Sequence, residues 1–277
     1  MVFRRTPIEL LTQKIGLSNG RNLFWTCHDE KNFGDWIGPY IFHKLTSSHP
    51  VYCQARIPSF AKVYFTVGSI LHHIRTANSA LVWGSGIIDS QTTFAPPKNI
   101  FAVRGPYTRE RCRYLGYECP NIFGDPALLM PLLFKPNINK EFELGIVSHM
   151  VDFTDAKKRF AGKGVNVVDV CQPVETVVRE ILKCEAIASS SLHGIILAHA
   201  YGIKAVRIPL SNRLKGDGIK FEDYYQCFKK PLNNHQLTVS SDVKLSNLVK
   251  HIANLPIPDV EPVQNKLLRC CPFPNLI

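Results

Sequence analysis

Residues 185–202 have the sequence EAIASSSLHGIILAHAYG, in which a short apolar run precedes three serines and a longer apolar stretch. The run 185–189 predicts a strand, and 192–201 predicts a helix that Gly202 ends. Serines at the start of a helix supply caps, and the backbone N–H groups that are free there attract anions. The stretch therefore predicts a strand–helix unit with an anion-binding end. A capped helix with an incidental His193 is the alternative that the residues leave open.

The same order of strand, turn and helix recurs along the chain from residue 22. Strands that alternate with helices favour a parallel sheet with helices on both faces, and continuous apolar runs are typical of buried parallel strands. The patterns predict strands at 22–27, 62–67, 80–83, 100–103, 121–123, 143–148, 165–170, 185–189, 204–208 and 235–239, and helices at 36–45, 70–76, 107–115, 155–161, 173–183, 192–201 and 242–253. The predicted fold class is therefore α/β.

The pattern stops in a stretch that contains Pro131 and Pro136, and it then restarts. A break of this kind between two series of strands and helices indicates a domain boundary. We therefore expect two tandem Rossmann-like, doubly wound domains that face a cleft. The predicted segments are an N-terminal arm over 1–21, a first domain over 22–135, a second domain over 141–255 and a Pro-rich C-terminal tail over 256–277.

The chain has 277 residues and a formal net charge of +11, because 33 Lys and Arg outnumber 22 Asp and Glu. The basic residues are spread over the whole length, whereas nucleic-acid binding usually needs a dense basic stripe with aromatic residues between. We therefore expect anionic small molecules as partners, an anionic membrane surface second, and no nucleic acid. A basic surface without a partner is the third explanation.

The nine cysteines are odd in number and form no CxxC pair, so their spacing predicts neither a zinc site nor a disulfide framework. Most lie in apolar surroundings, as the reduced buried thiols of a cytosolic protein do. The sequence lacks a stretch of about twenty apolar residues, the length that a membrane-spanning helix needs. These features predict a soluble cytoplasmic protein.

Glycines and charged residues follow the predicted strands of the first domain. Gly34-Asp35, Gly84-Ser85-Gly86, Arg104 and Gly124-Asp125 each come near the end of a predicted strand, and ligands of doubly wound folds bind beyond that edge. Arg104 can bind a carboxylate or phosphate through its planar fork, or it can form a salt bridge with a neighbouring acid. Ordinary turn chemistry explains each glycine taken alone, and Asp35 can cap the helix that follows, but it explains the whole series on one predicted edge less well.

The segment 215–225, KGDGIKFEDYY, is a polar and aromatic loop that enters a helix. It either closes over the cleft or lies on the surface. The sequence contains no glycine motif for a dinucleotide or a P-loop and no G-x-S-x-G nucleophile elbow. It also contains no D-x-D pair, which argues against a metal-assisted sugar-nucleotide transferase.

Several short pieces of the chain, taken in order, resemble the polysaccharide pyruvyl transferases, and within that family the branch that forms pyruvate ketals on xanthan. The resemblance covers roughly residues 22 to 226 and is weak outside them. Its pieces are GD at 34–35, TVGSILH at 66–72, VWGSG at 82–86, VRGP at 103–106 with TR at 108–109, GDPALL at 124–129, the stretch 189–202, KF at 220–221 and DYY at 223–225.

The resemblance implies a fold like that of the two-domain glycosyltransferases. It also implies an enzyme that transfers pyruvate from phosphoenolpyruvate to two hydroxyls of a sugar, forming a ketal and releasing phosphate. The acceptor in this family is often lipid-linked at the cytoplasmic face of the membrane. We therefore expect a cytoplasmic protein, peripheral at the inner face of an anionic membrane, and no metal or organic cofactor.

The resemblance also marks site positions. His193 is expected to act as acid/base or to contact phosphate, with Asp35 and Asp125 as further catalytic candidates. Arg104 and Lys220 are expected to hold the donor carboxylate and phosphate. The remaining predicted binding residues are Ser190, Ser191, Leu192, Gly84, Ser85 and Gly86. The first domain is expected to bind the acceptor and part of the donor, and the second the donor anions.

Two other functions remain open. A glycosyltransferase that uses a sugar nucleotide has a similar fold and would bind nucleotide instead of phosphoenolpyruvate. A non-catalytic protein of polysaccharide assembly would not need the polar strand ends, which look intact here. A basic nucleic-acid binder ranks third, and it would show a steep dependence of binding on salt.

Overall fold

The structure is a computed structural model, and it describes residues 21–26, 32–53, 62–232, 237 and 245–273. The predicted N-terminal arm lies outside these residues except for Arg21. The predicted strand 235–239 lies outside them except for Leu237, as do the first three residues of the predicted helix 242–253.

The described elements follow one another as strand and helix over most of the chain. In order they are β1 (Asn22–Phe24), α1 (Phe33–Thr46), β2 (Val51–Tyr52), β3 (Val63–Phe65), a 3₁₀ turn (Leu71–His73), β4 (Ala80–Trp83), β5 (Asn99–Ala102), α2 (Pro106–Tyr114), a 3₁₀ turn (Pro126–Leu129), α3 (Met130–Leu133), β6 (Phe142–Val147), a 3₁₀ turn (Met150–Asp152), α4 (Phe153–Phe160), β7 (Asn166–Val168), α5 (Val174–Leu182), β8 (Cys184–Ser189), α6 (Leu192–Ala200), β9 (Lys204–Arg207), α7 (Ile219–Tyr225), α8 (Leu245–Ala253) and α9 (Glu261–Arg269).

These strands form two parallel sheets. The first has the order β2-β1-β3-β4-β5 and the second the order β7-β6-β8-β9. Every strand pairs with its neighbours in parallel. The apolar runs behind the prediction are buried, as β3 and β4 show at every residue. The predicted α/β class is confirmed in this form, as two parallel sheets with helices.

The register of the second sheet brings its strand ends to one line. Val147 at the end of β6 pairs with Ser189 at the end of β8, and Ser189 pairs with Arg207 at the end of β9. The residues that follow these strands therefore leave the sheet at the same edge. This is the edge where parallel α/β sheets bind ligands.

Helix α1 follows β1 in the first sheet and also packs against the second half of the chain. One hydrophobic cluster contains Ile37 and Ile41 of α1, Val177 and Ile181 of α5, and Ile195 of α6. Burial of these side chains is the main stabilising contribution at this contact, at about 1.5–3 kcal/mol each. The two sheets therefore share part of their apolar core.

The C-terminal segment differs from the predicted tail because it contains a helix that packs on the first sheet. Helix α9 buries Leu267, whose carbonyl accepts a hydrogen bond from Trp83 Nε1 at 3.1 Å. Phe273 beyond the helix is 5% exposed, and its ring centroid lies 4.7 Å from that of Phe42 and 5.1 Å from that of Tyr64. The Pro-rich composition is compatible with this helix, because Pro262 lies in the first turn of α9, where proline costs little.

Two shorter elements were also predicted incorrectly. The predicted helix 70–76 is a 3₁₀ turn of three residues. It ends at Ile74, whose backbone is extended and whose carbonyl accepts a hydrogen bond from the distant Ala95 N–H at 3.0 Å. The predicted strand 121–123 makes a single parallel bridge, between Phe123 and Val103, since the chain turns at Gly124, where φ is 139°. Within the described part of the chain, every helix falls short of the length and apolar character that a membrane span requires.

Candidate functional site

His193 lies in the first turn of α6, and its side chain is 14% exposed. Its Nε2 lies 3.7 Å from Oδ2 of Asp125, which is fully buried. The other oxygen of Asp125 accepts a hydrogen bond from the Ala127 N–H at 2.9 Å and so caps the following 3₁₀ turn. Among the described residues, Asp125 Oδ2 and His193 Nε2 have no hydrogen-bond partner. The imidazole of His193 therefore faces a carboxylate oxygen of Asp125 that accepts no hydrogen bond from the described residues. This arrangement is suited to moving protons.

Two glycines from the first half of the chain lie against the His193 ring. A Cβ at Gly34 would lie 2.6 Å from His193 Nδ1, and a Cβ at Gly68 would lie 3.9 Å from His193 Cε1. Gly68 also has φ 106°, a conformation that favours glycine. The first turn of α1 and the loop after β3, which both follow strands of the first sheet, therefore reach a side chain of α6, the helix that follows β8 of the second sheet.

Asp35 lies beside this point, in the first turn of α1. Its Oδ1 accepts a hydrogen bond from Thr26 Oγ1 at 2.7 Å, and its Oδ2 accepts one from Asn32 Nδ2 at 3.0 Å. The cap of α1 is Asn32, whose Oδ1 accepts from the Gly34 N–H at 3.2 Å, so the capping explanation of Asp35 is wrong. A role of Asp35 in catalysis stays a prediction.

The three serines before α6 make different contacts. Ser189 Oγ accepts a hydrogen bond from the Ser191 N–H at 3.0 Å, and Ser190 Oγ accepts one from the His149 N–H at 2.9 Å. Ser191 is the N-cap of α6, and its side chain makes no cap hydrogen bond. The first N–H groups of α6, including that of Leu192, have no acceptor within the helix. The start of α6 is therefore suited to bind an anion.

Two basic side chains lie near the edge where β9 ends. Arg207 Cζ is 4.0 Å and Lys220 Nζ is 5.5 Å from the centroid of the Phe221 ring. Burial lowers the pKa of Lys220 to about 8, and the positive charges of Arg104 and Arg207 add to the shift. Burial also lowers the pKa of Arg207. An anion bound here would relieve this repulsion between like charges.

Arg104 is fully buried and bound by the protein itself. Its Nε donates to Asp223 Oδ2 at 3.0 Å, its NH1 group to Ser69 Oγ at 2.6 Å, and its NH2 group to the Ile87 carbonyl at 2.7 Å. Both members of the Arg104–Asp223 ion pair have side chains that are 0% exposed. The salt-bridge alternative therefore describes the observed geometry. Contact between Arg104 and a donor anion stays a prediction.

The predicted binding residues Gly84, Ser85 and Gly86 pack against protein atoms. A Cβ at Gly84 would lie 2.2 Å from Pro126 Cδ, and one at Gly86 would lie 2.3 Å from Arg104 Cζ. Ser85 is fully buried, and its Oγ donates to the Thr66 carbonyl. In this structure these residues hold the loops that carry Asp125 and Arg104, and direct contact with a ligand stays a prediction.

The loop before α7 links the two halves of the chain. Asp217 Oδ2 accepts a hydrogen bond from the Ser90 N–H at 2.9 Å, and a Cβ at Gly216 would lie 2.2 Å from the Ile88 carbonyl oxygen. Gly216 has φ 91°, so glycine is required there on two counts. The loop is therefore closed onto the first half of the chain in this structure.

The predicted site residues do not include three residues of this region: His149, Arg207 and Asp223. Arg207 ends a buried strand, and His149 follows one after a single residue. The strand-end rule that selected Gly34 and Arg104 could have found them. Asp223 lies in the piece DYY at 223–225 that carries the resemblance, but nothing in the sequence indicates its pairing with Arg104, which is 119 residues away in the chain. Among the described residues, no group of three or more His, Cys, Asp or Glu side chains could hold a metal ion.

Residues 78–212 match a family model described as "Polysaccharide pyruvyl transferase". The matched region includes Arg104, Asp125 and His193, whereas Asp35 and Lys220 lie outside it.

Two curated proteins are similar to this chain at 25% identity each. The first is an uncharacterized protein of Acanthamoeba polyphaga mimivirus, over 83% of this chain and 82% of that protein. The second is the succinoglycan biosynthesis protein ExoV of Rhizobium meliloti, over 76% of this chain and 66% of that protein. A solved structure, that of an uncharacterized protein of Klebsiella pneumoniae, is 12% identical with a TM-score of 0.44, over 87% of this chain and 100% of that chain.

Proposed function

Over residues 78–212 this chain belongs to the polysaccharide pyruvyl transferase family, and we propose that it transfers a pyruvyl group from phosphoenolpyruvate to two hydroxyls of a sugar. The product is a pyruvate ketal on a polysaccharide or a lipid-linked oligosaccharide. The observation that carries the proposal is the pairing of His193 with Asp125 at the start of α6. A proton-transfer group and an anion site then lie next to each other, as this reaction requires.

The reaction balances without oxidation or reduction. The methylene carbon of phosphoenolpyruvate takes a proton and becomes a methyl group, and the neighbouring carbon becomes oxocarbenium-like. One sugar hydroxyl adds to that carbon, the C–O bond to phosphate breaks, and the second hydroxyl adds to close the ketal. Of the two hydroxyl protons, one replaces the proton given to carbon and the other leaves on phosphate. The proposed chemistry therefore needs no redox cofactor, and we propose that it uses no organic cofactor and no metal ion.

One imidazole can perform the proton transfers in turn. His193 would give its proton to the methylene carbon, recover one from the first hydroxyl, give it to the departing phosphate and recover another from the second hydroxyl. Asp125 would orient the ring and balance its positive charge, as carboxylates beside catalytic histidines do. Its separation of 3.7 Å from Nε2 is longer than a hydrogen bond, and catalytic contacts of this kind often shorten when substrate binds. Asp35 is a second candidate base for the acceptor.

The donor carries a phosphate and a carboxylate, and both need positive partners. We assign the phosphate to the first turn of α6, at Ser191 and Leu192, with Lys220 beside it. Arg207 is a further cation at this edge. Arg104 is engaged by Asp223, so its expected contact with the carboxylate would use the NH1 group, whose present acceptor is the Ser69 hydroxyl.

The acceptor would enter from the first half of the chain. We propose that the two sheets belong to two domains and face a cleft, because Gly34, Gly68 and Asp125 of the first half surround His193 of the second. In this arrangement the first domain binds the sugar and the second the donor anions. A position in the cytoplasm, peripheral at an anionic membrane that carries the acceptor, agrees with the net charge of +11.

The test is phosphate release from phosphoenolpyruvate with pooled synthetic or lipid-linked glycosides. Wild type is compared with His193→Gln and with Asp125→Asn, in which the amide oxygen can still cap the following turn. We expect glycoside-dependent release by wild type, a loss of about 100-fold or more for His193→Gln, and a smaller loss for Asp125→Asn, with thermal midpoints unchanged. Mass spectrometry of the acceptor should show the added ketal.

Other results would overturn the proposal. Full activity of folded His193→Gln would remove the imidazole from the mechanism. A wild-type protein that binds a sugar nucleotide and not phosphoenolpyruvate would be the glycosyltransferase that the sequence left open. A protein that binds neither donor would fit the non-catalytic alternative.

A further inference from the structure

His149 lies where the second sheet and the start of α6 meet. It follows β6 after Ser148, and its backbone N–H donates to Ser190 Oγ at 2.9 Å. The register pairs the end of β6 with the end of β8, so this residue leaves the sheet beside the serines that precede α6. The side chain is half-buried, and the reaction steps proposed above do not use it.

The contacts of the His149 ring fix its protonation. Nδ1 accepts a hydrogen bond from the Val151 N–H at 3.3 Å and caps the 3₁₀ turn 150–152. Because a backbone N–H can only donate, Nδ1 carries no proton, and the neutral ring holds its single proton on Nε2. Burial lowers the pKa of His149 to about 4; Lys220 and His193 lower it as well, and Asp152 opposes them. At neutral pH the ring is therefore an uncharged donor.

We propose that His149 is a further substrate-binding residue, and that its Nε2–H donates a hydrogen bond to the donor phosphate held between the first turn of α6 and Lys220. The identity of that phosphate as part of phosphoenolpyruvate rests on the proposed function. Three observations place His149 there. Its backbone N–H donates to Ser190 Oγ at 2.9 Å, and the Val151 N–H holds Nδ1 so that Nε2 is the nitrogen left to donate. Lys220 and His193 are also near enough to lower the pKa of the ring.

The protonation of His149 gives the two imidazoles separate tasks. His193 would exchange protons during the reaction. His149 has its second nitrogen occupied by the Val151 N–H, so it can give a hydrogen bond without taking part in that exchange. A neutral donor of this kind holds a phosphate in place without competing for its proton.

Two substitutions separate binding from capping. In His149→Asn, the amide oxygen can still accept from the Val151 N–H, as asparagine caps do, but no donor remains at the position of Nε2. In His149→Gln, the longer amide places a donor near that position and loses the cap. The measurements are calorimetric binding of inorganic phosphate, the KM for phosphoenolpyruvate and the thermal midpoint.

We expect His149→Asn to bind inorganic phosphate about tenfold or more weakly, as the loss of one hydrogen bond to a charged group implies, with the wild-type midpoint. His149→Gln should keep its phosphate affinity within about threefold and lose thermal stability. The reverse pattern would make His149 a capping residue only and overturn the inference, as would a wild-type protein that binds no phosphate. If wild type binds phosphate but does not use phosphoenolpyruvate, the proposed function fails while the phosphate series still decides the role of His149.

Discussion

Replacing Asp223 by alanine should destabilise the protein strongly. The Asp223 and Arg104 side chains are both 0% exposed and lie 3.0 Å apart, from Oδ2 to Nε. Asp223 Oδ1 also accepts from the Thr108 N–H at 2.8 Å, and Oδ2 accepts from Thr108 Oγ1 at 2.6 Å. Without the carboxylate, a buried guanidinium has no counter-charge and a buried N–H has no acceptor.

Removing one member of a buried ion pair costs about 3–5 kcal/mol. Leaving the buried Thr108 N–H without an acceptor costs about 1–3 kcal/mol of stability. Part of this cost is already included in the roughly 3–5 kcal/mol for the broken ion pair. We therefore expect a loss of about 4 kcal/mol in the free energy of unfolding, from a total of about 5–15 kcal/mol. In a chain of this size the thermal midpoint should fall by about 8–16 °C. Urea unfolding followed by circular dichroism measures the first quantity, and a thermal scan the second.

The matched control is Asp155→Asn, which breaks a pair with Arg213 whose side chains are 60% and 51% exposed. Water screens such a pair, so its urea midpoint should not change measurably. Equal midpoints for Asp223→Ala and the control would refute the reasoning. The double variant Arg104→Met/Asp223→Leu should regain much of the lost stability, because paired apolar side chains avoid the lone charge. Turnover of phosphoenolpyruvate by that stable double variant would show that Arg104 does not bind the donor, and its absence would favour the predicted contact.

Three further outcomes follow from the site and the core. Gly34→Ala would place a Cβ 2.6 Å from His193 Nδ1, so turnover should fall by about 100-fold as the ring is displaced; an active variant would contradict this. Because the pKa of Lys220 is about 8, its positive charge is lost as the pH rises above that value. The affinity for phosphate, measured by calorimetry, should therefore decrease as the pH rises through about 8 in wild type but not in Lys220→Arg. A wild-type affinity that does not change over this pH range would contradict the prediction. Phe273→Ala should lower the free energy of unfolding by about 3–5 kcal/mol, as measured in urea, and a negligible loss would mean that its packing against Phe42 and Tyr64 contributes little.

Much of the fold could be predicted because it depends on local pattern. The runs in β4 and β8 are apolar and bounded by glycine or serine, and their bounds were predicted to within one residue. Elements that depend on distant partners could not be predicted in this way. The packing of helix α9 depends on the distant sheet that it covers, and β2 has two residues whose pairing with β1 defines it as a strand.

The candidate site shows the same division. His193 and Asp125 were selected because each follows a strand, and the structure brings them to 3.7 Å. The sequence could not show that Arg104 finds its counter-charge in Asp223, because that contact joins distant parts of the chain. Nor could it show which nitrogen of His149 is occupied, because this depends on one backbone N–H of a short turn.

The contact between Trp83 and α9 also bears on the order of folding during synthesis. The two residues joined by the Trp83 indole hydrogen bond are 184 positions apart. On the ribosome, β1 to β5 emerge long before α9 is made, so the nascent first sheet exposes Trp83, Phe42 and Tyr64 until Phe273 arrives. Contacts between residues so far apart in the chain raise the contact order, and their late formation leaves apolar surface open to aggregation. Translation that stops after the second sheet should therefore yield a chain that needs chaperones, although every strand of both sheets is present.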